Sequence, residues 1–158
     1  LGDVYKRQRL KAVSADHLLH ISDTGIKRLA RSGTIATLLP LTAFSLNEPY
    51  APGRRMIDAG CAVALASDLN PGSCFSSSIP LLFALACIQM KLTPEEALTA
   101  LTINGAAALG REKKIGSIDV GKKADLVLLK FPSYKFLPYH IGMNIVDTVI
   151  KDGVLYIV

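Results

Sequence analysis

The sequence has no apolar run long enough to cross a bilayer, although half of its 158 residues are hydrophobic. A helical membrane span is therefore not expected, and the chain is long enough for a water-soluble domain with a real core. Cysteine is sparse. Cys61, Cys74 and Cys87 are odd in number and show no C-x-x-C spacing, which argues against a disulfide framework or a zinc knuckle and makes a reducing, cytoplasmic setting the default. The formal charge is +5, but Lys6, Arg7, Arg9 and Lys11 against Asp3 account for +3 of it. The remaining charges are scattered, and no basic stripe is interleaved with aromatic residues, so nucleic-acid binding is not expected. The opening L-G-D-V-Y-K-R-Q lacks a secretory apolar region and a start methionine. Residues 1–9 are expected to be a non-native leader, a linker or read-through scar joined to a truncated coding sequence.

What is present is a βα rhythm with no other internal repeat. R-L-K-A-V-S-A-D-H-L reads as a strand ending near Asp16 and His17, and a helix follows in S-D-T-G-I-K-R-L-A-R-S-G. Ser22 or Asp23 can cap that helix and Gly33 can end it. T-I-A-T-L-L-P is a second strand, stopped by Pro40, and a helix from near Pro52 to Gly60 leads into the third strand, A-V-A-L-A-S-D. Parallel βα units put their strand carboxyl ends on one edge, so His17, the segment from Pro40 to Tyr50, and the segment from Asp68 to Ser73 are expected to converge. Beyond them, I-P-L-L-F-A-L-A-C-I-Q-M-K-L predicts a buried helix. T-P-E-E opens another, with Thr93 as cap, Pro94 at its first position and Glu96 completing a capping box, and N-G-A-A-A-L-G predicts a short one. From Lys113 the texture changes to glycine-punctuated strands: I-G-S-I-D-V-G, A-D-L-V-L-L-K-F, and V-D-T-V-I-K-D-G-V-L-Y-I-V with a D-G hairpin turn.

Chemistry concentrates at the strand ends. His17 and Asp68 are the His and Asp that fall directly at expected strand ends on one face. A carboxylate oxygen and an imidazole nitrogen are the donors a divalent metal accepts, and a carboxylate beside the attacking water can take its proton. The same residues can instead do ordinary work, Asp68 capping the turn through Asn70 and Ser73, and His17 simply ending a strand. His20 reads as a loop histidine, and His140 in P-Y-H-I-G as a structural residue beside Pro138. In N-P-G-S, Gly72 would let a ligand approach the backbone and Ser73 supplies a hydroxyl, as a plain turn would also require.

The combination is more specific than its parts. V-S-A-D-H-L-L-H-I-S, then G-T-I-A-T-L-L-P-L-T-A-F-S-L-N-E-P-Y, then V-A-L-A-S-D-L-N-P-G-S-C, closely resembles the C-terminal part of the imidazolonepropionase family, within the amidohydrolase superfamily. I-N-G-A-A-A-L-G and I-G-S-I-D-V-G-K-K-A-D-L-V-L-L are similar to the superfamily's ending, and P-Y-H-I-G-M-N to the specific family. The resemblance covers about residues 10 to 158. It implies an α/β fold: residues 10–112 as the C-terminal portion of a metal-dependent (β/α)8 TIM barrel, strands six to eight, and residues 113–158 as the C-terminal half of a small β-sandwich domain.

The resemblance further implies hydrolysis of the ring amide of 4-imidazolone-5-propanoate to N-formimino-L-glutamate, a step of histidine degradation. Asp68 matches a zinc or iron ligand that also handles the proton of the attacking water. His17 matches a catalytic histidine that polarises the substrate carbonyl or relays a proton, and Asn70, Gly72 and Ser73 match substrate contacts. The partner so implied is the small-molecule substrate, with no nucleic acid and no membrane, and a homodimeric parent is compatible with it. The H-x-H motif that supplies two further metal ligands in this family does not occur in these 158 residues. The chain alone is therefore expected to be inactive and poorly stable, because one carboxylate cannot hold a catalytic metal and three strands cannot close a barrel. Another amidohydrolase, such as a nucleobase deaminase, and a non-catalytic barrel fragment are the alternative readings. D-L-N-P-G-S argues against the first.

Overall fold

The computed structural model describes residues 11–157. The expected leader at residues 1–9, and Leu10 at the opening of the stretch expected to form the first strand, lie outside them; within that stretch residues 11–13 are not strand, and β1 begins only at Ser14. Three short strands, β1 (Ser14–Asp16), β2 (Ile35–Leu38) and β3 (Val63–Leu65), form a parallel sheet in the order β1-β2-β3. Their register aligns Asp16 with Thr37 and Thr37 with Ala64. Alternation along each strand divides the residues between two faces. Ala15, Ala36, Leu38, Val63 and Leu65 join the hydrophobic core with Ile26, Leu29, Met56 and Phe83. Ser14, Asp16, Thr37 and Ala64 instead line a cleft.

The returns are helical, as the sequence predicts. Helix α1 (Asp23–Ala30) starts at Ser22, whose hydroxyl accepts from the Gly25 amide at 3.1 Å. Helix α3 (Gly53–Asp58) returns the chain to β3, and Gly60 leaves it at φ +86°. Between β2 and α3 the structure adds helix α2 (Pro40–Ser45), which the sequence did not announce. Pro40 stops the strand and also begins this helix, because its fixed φ and missing amide suit the first helical position.

Helix α4 (Ile79–Ile88) buries Leu82, Phe83, Ala84, Leu85 and Ala86 in succession, the sign of a helix apolar on every side. Helix α5 (Pro94–Leu101) carries the expected capping box: the Glu96 amide donates to Thr93 Oγ1 at 3.2 Å, and the Thr93 amide to Glu96 Oε2 at 2.8 Å. Helix α6 (Ile103–Ala108) packs on β2 and β3, where Asn104 Nδ2 donates to the Val63 carbonyl at 2.8 Å.

The C-terminal part is an antiparallel sheet in the order β4-β5-β6, built from β4 (Leu126–Leu129), β5 (Val146–Lys151) and β6 (Val154–Ile157). The β5–β6 hairpin turns at Asp152 and Gly153, with φ of +50° and +81°, the left-handed pair that a D-G turn provides. The strand expected in I-G-S-I-D-V-G is not formed. Gly116, at φ +91°, presses against helix α6, and no neighbouring strand among the described residues offers Ser117–Val120 a ladder, leaving Ile118 and Val120 exposed. His140 stacks on Phe131 with ring centroids 4.5 Å apart, and its amide donates to the Phe136 carbonyl at 2.9 Å, the structural role expected of it. His20 is exposed in a turn.

Candidate active site

The carboxyl ends of the three parallel strands share one edge, as the βα rhythm requires. Asp68 stands three residues beyond β3 in the left-handed region, with φ +53°. Asp tolerates this conformation better than most residues, because its short polar side chain finds local partners. Here the partner is distant: Thr42 Oγ1, in the first turn of α2, donates to Asp68 Oδ2 at 2.7 Å. Among the described residues no donor reaches Oδ1.

The chain after Asp68 is braced by one side chain. Asn70 Oδ1 accepts from the amides of Gly72 and Ser73, both at 2.9 Å, while its Nδ2 donates to the Asp68 carbonyl at 2.7 Å and to Ser73 Oγ at 2.9 Å. The Asn70 amide then donates to the Cys74 carbonyl at 2.9 Å, which closes the turn against the buried Cys74. Gly72 is close to that brace, since a Cβ built there would lie 3.3 Å from Asn70 Oδ1.

Asp68 opens onto a cleft of about 1100 Å³, lined on the sheet side by Ser14, Asp16, Thr37 and Ala64 and on the other by residues of α5, α6 and β4. Thr37 Oγ1 is buried without a hydrogen-bond partner among the described residues. Thr42 and Thr37, neither singled out by the sequence, therefore belong here. Thr42 lies within the Pro40–Tyr50 segment expected at this edge, and Thr37 within a strand whose alternation is the signal that places it on this face. In the same segment, burial pushes the Tyr50 hydroxyl above its ordinary pKa.

The expected residues are not all brought together. Asp68, Asn70, Gly72 and Ser73 form one hydrogen-bonded unit. His17 follows β1 directly at φ +68°, and its amide extends the ladder to the Thr37 carbonyl at 3.0 Å. Its side chain is exposed and is not among the residues lining the cleft, whereas its neighbour Asp16 is. The donor chemistry suits a hard or borderline cation at one corner only. Asp68 offers one carboxylate, steadied at one oxygen, and the described residues hold no cluster of three or more His, Cys, Asp or Glu that could complete a metal site.

A parallel sheet with helical returns and a carboxylate at its carboxyl edge has clear counterparts. Residues 7–156 match the model of the amidohydrolase family, and the chain belongs to that family. It is 83% identical over 147 residues to the imidazolonepropionase of Parabacteroides distasonis, covering 93% of this chain and 35% of that protein. The imidazolonepropionase of Bacteroides fragilis is 69% identical over 156 residues, covering 99% of this chain and 37% of that protein. The corresponding Clostridium tetani protein is 64% identical over 153 residues, covering 97% and 36%. The chain thus spans about a third of the length of these relatives.

Among solved structures, an adenosine deaminase from Xanthomonas campestris with bound zinc superposes with a TM-score of 0.86 at 26% identity, covering 98% of this chain and 40% of that one. Guanine deaminase of E. coli superposes at 0.73 with 20% identity, covering 92% and 39%, a likeness of fold alone. The architecture is accordingly part of a TIM-barrel-type amidohydrolase.

Proposed function

We propose that this chain is the C-terminal portion of an imidazolonepropionase, which hydrolyses the ring amide of 4-imidazolone-5-propanoate to N-formimino-L-glutamate. In this reading β1, β2 and β3 are barrel strands six, seven and eight, and residues 113–158 are half of a β-sandwich. The observation that carries it is the Asp68–Asn70–Ser73 unit at the carboxyl edge of the sheet, in a chain 64–83% identical to imidazolonepropionases over almost its whole length.

A divalent zinc or iron ion, when bound, supplies Lewis acidity at the reacting carbonyl and its attacking water. Asp68 supplies one ligand and accepts the proton of that water. Water adds to the ring carbonyl, the C–N bond breaks, and the proton passes to the departing nitrogen. His17 polarises the carbonyl or relays that proton, a role that requires its exposed ring to turn toward the cleft once the rest of the barrel surrounds it. The N-P-G-S turn contributes Gly72 as a close backbone approach and Ser73 as a hydroxyl toward substrate, with Asn70 holding both in place. The remaining metal ligands come from a part of the barrel outside these residues.

Another amidohydrolase, such as a nucleobase deaminase, is the second reading, and the observation behind it is the adenosine deaminase among the structural neighbours, which acts on a nucleoside. Its identity of 26% is far below those of the imidazolonepropionases.

The test is a chimera in which the aligned 147 residues replace their counterpart in the Parabacteroides distasonis enzyme. The zinc-loaded chimera is expected to turn over 4-imidazolone-5-propanoate, and Asp68→Asn to lower that rate about 10²- to 10⁴-fold. A folded, metal-loaded chimera that ignores this compound, or deaminates a nucleobase instead, would overturn the reading.

A further inference from the structure

Asp68 is held at both ends of its residue. Its carbonyl accepts from Asn70 Nδ2 and its carboxylate Oδ2 from Thr42 Oγ1, each at 2.7 Å. The second contact joins residues 26 positions apart, and it sits at the short distance typical of a hydroxyl donating to a carboxylate.

Thr42 is well placed to fix the geometry of that bond. It is 4% exposed, and its carbonyl accepts from the Leu46 amide at 3.0 Å, so its backbone is committed to helix α2. A threonine in a helix commonly turns its hydroxyl back onto a carbonyl of the preceding turn. Here the carbonyl four residues back, on Leu38, accepts from the Ala66 amide at 3.2 Å, and the Thr42 hydroxyl reaches across to Asp68 instead. A hydroxyl has a single proton to give, and this one goes to Oδ2. The other oxygen, Oδ1, is left without a protein donor among the described residues, on a residue that lines the cleft.

We infer that Thr42 is the positioning residue for Asp68: it engages Oδ2, fixes the carboxylate plane, and presents Oδ1 as a single-oxygen ligand to a divalent cation in the cleft. This rests on the reading of Asp68 as a metal ligand. The physical effect is preorganisation. A carboxylate free to rotate offers a cation either one oxygen or both, and must lose that freedom on binding, whereas a carboxylate with one oxygen already engaged has lost it in advance.

The test is zinc affinity of the full-length chimera, measured by competition with a chromophoric chelator, alongside the melting curve of the metal-free protein. Thr42→Val keeps the side-chain shape and removes the donor; it should weaken zinc about 10- to 100-fold, as loss of an outer hydrogen bond to a ligand does elsewhere. Thr42→Ser keeps the donor and should restore the original affinity. Thr42→Ala, which deletes the donor without depending on the fit of a valine, should weaken zinc as Thr42→Val does. Unchanged affinity in Thr42→Val or Thr42→Ala overturns the inference. So does a loss that Thr42→Ser fails to rescue, because the effect would then be one of packing. If Asp68→Asn leaves zinc binding intact, the premise and the inference fall together. Tight zinc binding without turnover of imidazolonepropionate removes only the substrate reading, and the affinity comparison between Thr42→Val and Thr42→Ser still decides this one.

Discussion

Arg54 on α3 grips Glu96 on α5 with two parallel hydrogen bonds, Nη1 to Oε2 at 2.7 Å and Nη2 to Oε1 at 2.9 Å. Glu96 Oε2 also accepts from the Thr93 amide, so one carboxylate closes the capping box and ties its helix to the helix before β3. Forked guanidinium–carboxylate pairs of this kind are stronger and more directional than single contacts. Hydrogen bonds from Arg54 hold the Glu96 carboxyl below its ordinary value of 4.5, while Glu96, ahead of Asp58, raises the guanidinium.

Stability from this pair should follow acid titration. Because the folded pKa of Glu96 is depressed, its contribution is complete above the unfolded value of 4.5 and is lost as the pH falls through the lower folded value. Glu96→Gln in the chimera should lower stability at pH 7 by about 1–2 kcal/mol, combining a weakened cap and a lost charge-assisted pair. The difference from wild type should shrink on acidification, as read from urea midpoints at several pH values. A difference that is constant down to pH 3 would contradict the assignment.

Gly116 is needed where it stands. A Cβ there would lie 2.6 Å from Ala106 Cβ and 3.0 Å from both Ile103 Cα and the Thr102 carbonyl, in a backbone with φ +91°. Gly116→Ala should cost about 2–4 kcal/mol, from left-handed strain and overpacking against α6 together. Gly121, at φ +86° with open space around it, is the control. Gly121→Ala should cost only the backbone part, about 1 kcal/mol, in the same denaturation series.

Asn70→Ala removes the acceptor for two amides and the donor to the Asp68 carbonyl. It is expected to cost about 1–3 kcal/mol of ordering in the loop, seen as faster amide exchange at Gly72 and Ser73. In the chimera kcat/KM should fall accordingly, about 5- to 150-fold. Exchange rates matching wild type would show that the turn holds its shape without the side chain.

The 158-residue chain by itself is expected to bind the dye ANS, to melt without cooperativity and to lack turnover. Among the described residues β1 and β3 each have a strand neighbour on one side only. Val127, Leu128, Leu155 and Tyr156, on the antiparallel sheet, are all about half exposed. A sharp melting transition with no dye binding would contradict this.

What the sequence determined by itself was the order and kind of most elements, because the signals that specify them are local. The Thr93–Glu96 box, Ser22 as a cap and Asp152-Gly153 as a turn each act within four residues, and each appears where its chemistry requires it. The expected edge of the sheet and the place of Asp68 beyond β3 followed from the same parallel βα logic. Tertiary structure decided the rest. I-G-S-I-D-V-G has strand-like composition, but a strand exists only where a neighbour supplies the ladder, and the close approach of Gly116 to α6 draws this segment elsewhere. Pro40 could stop a strand or start a helix, and it does both because α2 packs against α4. The Thr42–Asp68 bond spans 26 residues and depends on two strand ends lying side by side, a relationship set by sheet register and invisible to any local pattern.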